Sequence, residues 1–179
     1  YDVLSLYSKR EEGKTVFEIM AEMIENLQIE KPDDDQKTTR FIRVPVCYER
    51  HYATDMNELA NAKNLTVKEV IQIHTGNTYR VFMLGFLPGF AYMGEVDERI
   101  THPRRNQPKE VPAGSVGIAG KQTGIYPLDS PGGWQIIGRT PMKLFEKERT
   151  DPVLLRTGDE IQFYPISEDE FKNYQSRTS

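Results

Sequence analysis

Ten of the 13 glycines and seven of the 11 prolines fall between Gly85 and Pro141, and no other feature limits the possible folds of this chain as much. Glycine admits positive φ and the close approach of a second segment, while proline fixes φ and removes a backbone donor. Long helices are disfavoured in such a region, and short strands joined by tight corners are favoured. The apolar pattern agrees. "SVGIA" and "QTGIYP" flank Gly120-Lys121, whose leading glycine suits a two-residue type II′ hairpin. "WQIIGRT", "MKLFE" and "DEIQFYPI" read as three further strands. "YRVFMLGF", apolar on both faces, reads as a strand in the middle of a closed or covered sheet. With only two small helices beside them, these strands predict a β-barrel or sandwich. Barrel corners and turns account for any single glycine or proline. The succession of "GFLPGFAYMG", "VPAGSVGIAG" and "SPGGWQIIGRTP" is denser than corners need and predicts a rigid, loop-built site.

Upstream, "FIRVPVCYE" puts Ile42, Val44, Val46 and Tyr48 on one face, and Pro45 argues for an edge strand. One short helix is expected from Asp55, as its cap, to Lys63. A second is announced by Thr66-Val-Lys-Glu69 and ends near Gly76. At the start of the chain "YDVLSLYS" alternates like a strand. Val16, Ile19, Met20, Met23, Ile24 and Leu27 then share one helical face behind a Thr15–Glu18 capping box. "EKPDDDQKTTR" is a solvated linker. The expected organisation is an α/β fragment over 1–30, a linker over 31–38, the β domain over 39–166 and a C-terminal tail over 167–179.

Charge narrows the partners. Twenty-seven acidic against 23 basic side chains give a net charge of −4, so nothing draws the chain to nucleic acid or anionic lipid. The longest apolar stretch, Phe82 to Met93, is interrupted by Gly85, Pro88 and Gly89 and falls short of the roughly 20 residues of a membrane helix. Cys47 is the single cysteine and closes no internal disulfide, so the expected compartment is the cytoplasm. The chain opens at Tyr1 with no methionine and no signal-peptide pattern, and a preceding segment is expected to be missing.

"GFLPGFAYMG", then "PRR", "VPAGSVGIAGKQTGIYPLDSPGGWQIIGRTP" and "LLRTGDEIQF" together resemble the first subunit of the allophanate hydrolase group, also called the B-type subunit of 5-oxoprolinase. That group includes the KipI-like inhibitor of a sporulation histidine kinase. The resemblance runs from about Phe41 to Ile166. It implies a cyclophilin-like closed barrel preceded by part of a ferredoxin-like α/β unit that lacks its first strands. It also implies a KipA-like second subunit, the C-type subunit of 5-oxoprolinase, and a LamB-like third. Together such subunits open 5-oxoproline, a cyclic amide, to glutamate using ATP, and related modules serve as carboxyltransferase domains in urea carboxylase. The barrel alone decides none of these activities.

Two catalytic candidates stand. His74 is either a histidine satisfied at a helix end or an acid, base or orienting donor, and the resemblance favours the second reading. Arg104, beside Arg105, is either solvated or part of a fork for a carboxylate or phosphate. Pro88, Gly89, Phe90, Gly114, Ser115, Gln122, Thr123 and Tyr126 are candidate substrate contacts, with backbone donors of the Gly114–Gly120 run able to polarise a carbonyl. Phe86, Tyr92, Trp134 and Arg139 are candidate contacts with a partner subunit. No metal centre is expected from three histidines without HxH or HExxH spacing. No P-loop occurs, so no cofactor is expected on this chain alone, and ATP belongs to the complex. The expected role is a subunit inactive in isolation, whose loops between Gly85 and Pro141 gather at one mouth of the barrel and form half of a composite substrate site. The alternative is a KipI-like inhibitor docked on a histidine kinase, and prolyl isomerase activity is a distant third.

Overall fold

The computed structural model describes residues 39–178 together with Thr15 and Glu18, with side chains up to Ser176. The chain divides into two compact units, Tyr1–Thr38 and Thr39–Ser179. In the first, the Thr15 backbone N–H donates to Glu18 Oε2 at 2.7 Å and the Glu18 N–H donates to Thr15 Oγ1 at 3.3 Å, a reciprocal capping box. The strand expected over residues 1–8, the rest of the helix and the 31–38 linker lie outside the described residues.

Seven strands of the second unit close into a barrel, and a separate two-stranded ribbon lies apart from it. In chain order the elements are β1 (Phe41–Cys47), α1 (Met56–Ala62), α2 (Val67–Thr75), β2 (Thr78–Leu84), β3 (Ala91–Gly94), β4 (Lys109–Val111), β5 (Ser115–Ala119), β6 (Gln122–Ile125), β7 (Ser130–Gly132), β8 (Gln135–Arg139), β9 (Glu160–Ile166) and α3 (Glu168–Thr178). Around the barrel the order is β1-β8-β5-β6-β3-β2-β9, and β4 pairs with β7. Only β1 and β9 run parallel. Val44, Val46, Tyr79, Val81, Ala91, Met93, Val116, Ile118, Ile125, Ile137, Ile161 and Phe163 fill the interior, with Leu59 and Val70 from the helices packed against them.

The β5–β6 hairpin turns at Gly120, which adopts φ +59°, and Ala119 pairs with Gln122 across it. At α2, the Glu69 N–H donates to Thr66 Oγ1 and the Thr66 N–H to Glu69 Oε2, closing the expected capping box.

Four expectations need correction. Pro45 does not mark an edge strand, since β1 lies inside the barrel order. The proline is tolerated because β8 meets β1 only at Cys47, which leaves most of β1 with a ladder on one side. "MKLFE" forms no strand and contributes only a bridge between Phe145 and Val153. The 167–179 tail is helical over Glu168–Thr178, behind a Ser167–Glu170 capping box, and anchors through the buried Phe171 against Tyr52. Finally, β2 is not covered on both faces. A register shift between Val81 and Met83 breaks its alternation, and Phe82 and Met83 are 55 % and 53 % exposed.

Candidate functional site

Alternation along β5 and β6 decides what the glycines are for. Val116, Ile118, Thr123 and Ile125 point inward, so Gly117 and Gly124, which pair directly, present bare backbone on the outer face. Trp134 lies over that pair. A Cβ at Gly117 would sit 3.0 Å from the Trp134 Cβ, and one at Gly124 would sit 3.0 Å from the indole Cζ3. Phe90 and Tyr126 meet the indole edge-on, with ring centroids 5.3 and 6.5 Å away, and Tyr92 flanks it at 5.9 Å. Val111, Ala119 and Ile136 complete a second hydrophobic cluster outside the barrel. The loops around 85–90, 103–112 and 127–134 gather in one place, but on the outer wall of the barrel and around packed rings, so the half-pocket expected at a barrel mouth is not there.

This changes the status of the expected site residues. Phe90, Tyr126 and Trp134 are 1, 1 and 2 % exposed and cannot line a cleft as they stand. Gly89, at φ +81°, packs against the Leu144 carbonyl, and Pro88 is exposed beside it. Gly114, at φ +82°, donates its N–H to Tyr126 O at 2.7 Å, and the Ser115 N–H goes to Pro112 O at 3.1 Å. The Gly120 N–H is bonded to His102 O at 2.7 Å. These ends of the run are thus not free to polarise a substrate carbonyl. Ser115 is buried, and Arg139 spends its Nε–H on Ala113 O at 2.7 Å. Gln122 is exposed, on the outer face next to Gly94 of β3.

His74 is fully buried on α2, its ring stacked on Phe163 at 4.6 Å. The Tyr48 hydroxyl lies 2.9 Å from Nδ1, Thr123 Oγ1 lies 3.1 Å from Nε2, and Thr123 Oγ1 donates onward to Gly117 O at 3.1 Å. Because the threonine proton is committed to Gly117, Nε2–H donates to Thr123 and Nδ1 accepts from Tyr48, which fixes a neutral tautomer. Burial lowers the His74 pKa from 6.5 to about 3. The ring ties α2, β6 and the residue that follows β1 together in the protein interior. As an unprotonated, fully bonded group it is a poor acid or base for an external substrate.

A stability prediction follows from the sign of that shift. An unfolded chain's imidazole takes its proton near pH 6.5 and the folded one only near 3, so acid favours the unfolded state. The contribution is intact above pH 6.5 and declines by about 1.4 kcal/mol per pH unit below it. Urea titrations between pH 7 and 5, above the carboxylate range, should show this slope, and His74→Gln should flatten it.

The arginines also divide. Arg105 is withdrawn into an ion pair with Asp55 and donates its backbone N–H to Gly133 O at 2.7 Å. Arg104 stays exposed with its guanidinium carbon 5.9 Å from the Trp134 ring centre. The two do not form a fork. Asp55 itself, expected as a helix cap, makes no side-chain cap. Its Oδ2 accepts the Ile136 N–H at 2.7 Å, while its own N–H donates to Ile136 O at 2.9 Å.

The grooves near these elements are lined by other residues: one of about 470 Å³ by Glu69, Gln72, Asn77, Asp97 and Arg99, another of about 560 Å³ by Lys63, Thr101, His102 and Lys121. Among the described residues no three His, Cys, Asp or Glu side chains gather as a metal site requires, and no helix is long and apolar enough to cross a membrane. What remains open to a partner or substrate is the outer face itself, with Phe82, Met83, Phe86, Gln122 and Arg104. The exposure of Phe82 and Met83 is not legible in the sequence, because a bulge leaves no signature in an unbroken apolar run.

A closed barrel with an aromatic cluster sealed on its outer wall is here the frame of a carboxyltransferase domain: residues 4–155 match subdomains C and D of that family. The chain is 41 % identical over 181 residues to the 5-oxoprolinase B subunit of Bacillus subtilis (strain 168), covering all of this chain and 75 % of that protein. Protein PH0987 of Pyrococcus horikoshii superposes with a TM-score of 0.71 at 44 % identity, over 87 % of this chain and 68 % of that one. Protein TTHA0988 gives 0.68 at 40 % identity, over 72 % of this chain but only 26 % of that one. The chain belongs to the family of 5-oxoprolinase B subunits.

Proposed function

We propose that this chain is a non-autonomous subunit of an ATP-dependent complex that opens a cyclic amide, with 5-oxoproline as substrate and glutamate as product. The name of the Bacillus subtilis relative supports the reaction class. The observation that carries non-autonomy is that, of the chain's candidate catalytic groups, only Arg104 stays exposed and the others are consumed by its own fold. His74 is bonded at both ring nitrogens, Arg105 is paired with Asp55, and the Gly114 and Gly120 amides are bonded internally.

Opening an unactivated lactam needs a polarised or phosphorylated carbonyl oxygen and a protonated leaving nitrogen. In this proposal ATP is held and spent by the KipA-like and LamB-like subunits. This chain contributes an outer face on which Arg104 meets the substrate carboxylate as a single cation and Gln122 offers an amide donor and acceptor.

The test is ATP-dependent conversion of 5-oxoproline to glutamate by purified subunits. The chain alone should give no turnover, the full set should be active, and omission of the chain should abolish turnover. Turnover by the chain alone, or undiminished turnover without it, overturns the proposal.

A further inference from the structure

We propose that the outer face of β2 and β3, with the Phe86 corner, is the surface on which a second subunit docks, through an apolar patch ringed by carboxylates on that partner. The inference rests on the proposed function for the partner's identity.

Three large apolar side chains are uncovered here, and each is held out by an irregular backbone. The bulge at Val81–Met83 turns Phe82 and Met83 outward together. The edge of the Phe82 ring then covers Gly94, where a Cβ would come within 3.2 Å of it. Phe86 is 63 % exposed and adopts φ +70°, a left-handed conformation that costs a side-chain-bearing residue energy. A fold gains nothing internally from such devices if their products face water. The patch is continuous with the sealed cluster: Met83 pairs with Tyr92, and Phe86 meets Phe90 and Tyr126 edge-on at 5.7 and 6.5 Å. Its floor is therefore rigid before any partner arrives, which limits the entropy lost on docking.

Charge selects the occupant. Arg80, Arg104 and Lys109 have no ion-pair partner among the described residues, and Lys121 is bound to Glu95. Glu160 lies opposite Arg80 on β9, while Glu110 alternates to the other side of its ribbon from Lys109. An excess of positive charge remains on this face of a chain whose net charge is −4. A second copy would set like charges against each other. An excess this small does not hold a chain of negative net charge on anionic lipid. An acidic protein face fits, and in TTHA0988 the matching region is 26 % of one longer chain, so this barrel is used beside other protein modules.

In the experiment, isothermal calorimetry follows titration of the full-length chain with the purified KipA-like subunit. Phe82→Ser/Met83→Ser and, separately, Phe86→Ser are expected to weaken binding on the order of 30-fold, as central anchors do. Lys109→Glu, an exposed position with no role in the proposed substrate contact, should weaken it about tenfold and reduce its salt dependence. Phe41→Ser, 55 % exposed on β1, should leave it unchanged and controls for lost apolar surface. Wild-type affinity in the Phe82/Met83 and Phe86 variants overturns the inference, as does absence of binding by the wild type. Self-association, or sedimentation with phosphatidylserine vesicles, that depends on Phe82 and Met83 in place of association with the KipA-like protein also overturns it. Assembly that depends on this face but yields no 5-oxoproline turnover overturns the proposed function and leaves the docking surface standing.

Discussion

Trp134→Ala is expected to lower the unfolding free energy by about 3–5 kcal/mol, the range of large aromatic truncations that leave a cavity. The indole is 2 % exposed and is the residue that Phe90, Tyr92 and Tyr126 all pack around. Collapse into the vacated space is blocked from below, because Gly117 and Gly124 have no side chains to move and their strands are fixed in the β5–β6 ladder. Urea unfolding followed by far-ultraviolet circular dichroism measures the loss. Gly124→Ala probes the same contact from the other side: its Cβ would press on the indole at 3.0 Å and on the Ala91 carbonyl oxygen at 3.0 Å. That variant should cost about 1–3 kcal/mol by overpacking. It should also shift the emission of this sole tryptophan to the red as the ring is lifted toward water. If Trp134→Ala costs under about 1 kcal/mol, the cluster is not the second core that its burial implies.

The same residues show how far the sequence could be read. Thr66 to Gly76 and the Gly120 hairpin were legible because capping boxes and tight turns are local: the residues that bond are three apart or adjacent. Ser167 to Glu170 carries the same local pattern, but it went unused and the segment was expected to be a tail. Glycine and proline marked where the loops gather, although those loops close on packed rings where a site was expected. They could not show that a tryptophan well along the chain would use Gly117 and Gly124 as a floor, because that is decided by how strands pair. His74 illustrates the limit at the site. A histidine near a helix end has the same sequence whether its ring meets solvent or points into a barrel, and only the positions of Tyr48 and Thr123 separate the cases. "MKLFE" fails for a related reason: an apolar run becomes a strand only when a neighbour offers a ladder, and here a single bridge is offered.

Asp55→Ala is expected to be the other severe substitution, at about 3–5 kcal/mol, since it strands a buried cation. Asp55 acts at the edge of β8 like one residue of an added strand. Its backbone N–H and its Oδ2 take the Ile136 carbonyl and N–H, at 2.9 and 2.7 Å, on the side where β1 reaches β8 only at Cys47. The remaining carboxylate oxygen neutralises Arg105, whose side chain is 11 % exposed. Alanine keeps the backbone bond but leaves the Ile136 N–H unbonded and the guanidinium without its counter-charge. Burial already lowers the Arg105 pKa, so the cation has little solvent to fall back on. Asp55→Asn retains an acceptor for Ile136 and loses the charge and the acceptor that face Arg105, and it should therefore be the milder variant. A double-mutant cycle with Arg105→Met separates the two parts: if the pair is coupled, Arg105→Met should be far less costly in the Asp55→Ala background than in the wild type. Additive costs would show that Asp55 serves β8 alone and that Arg105 is held by something else.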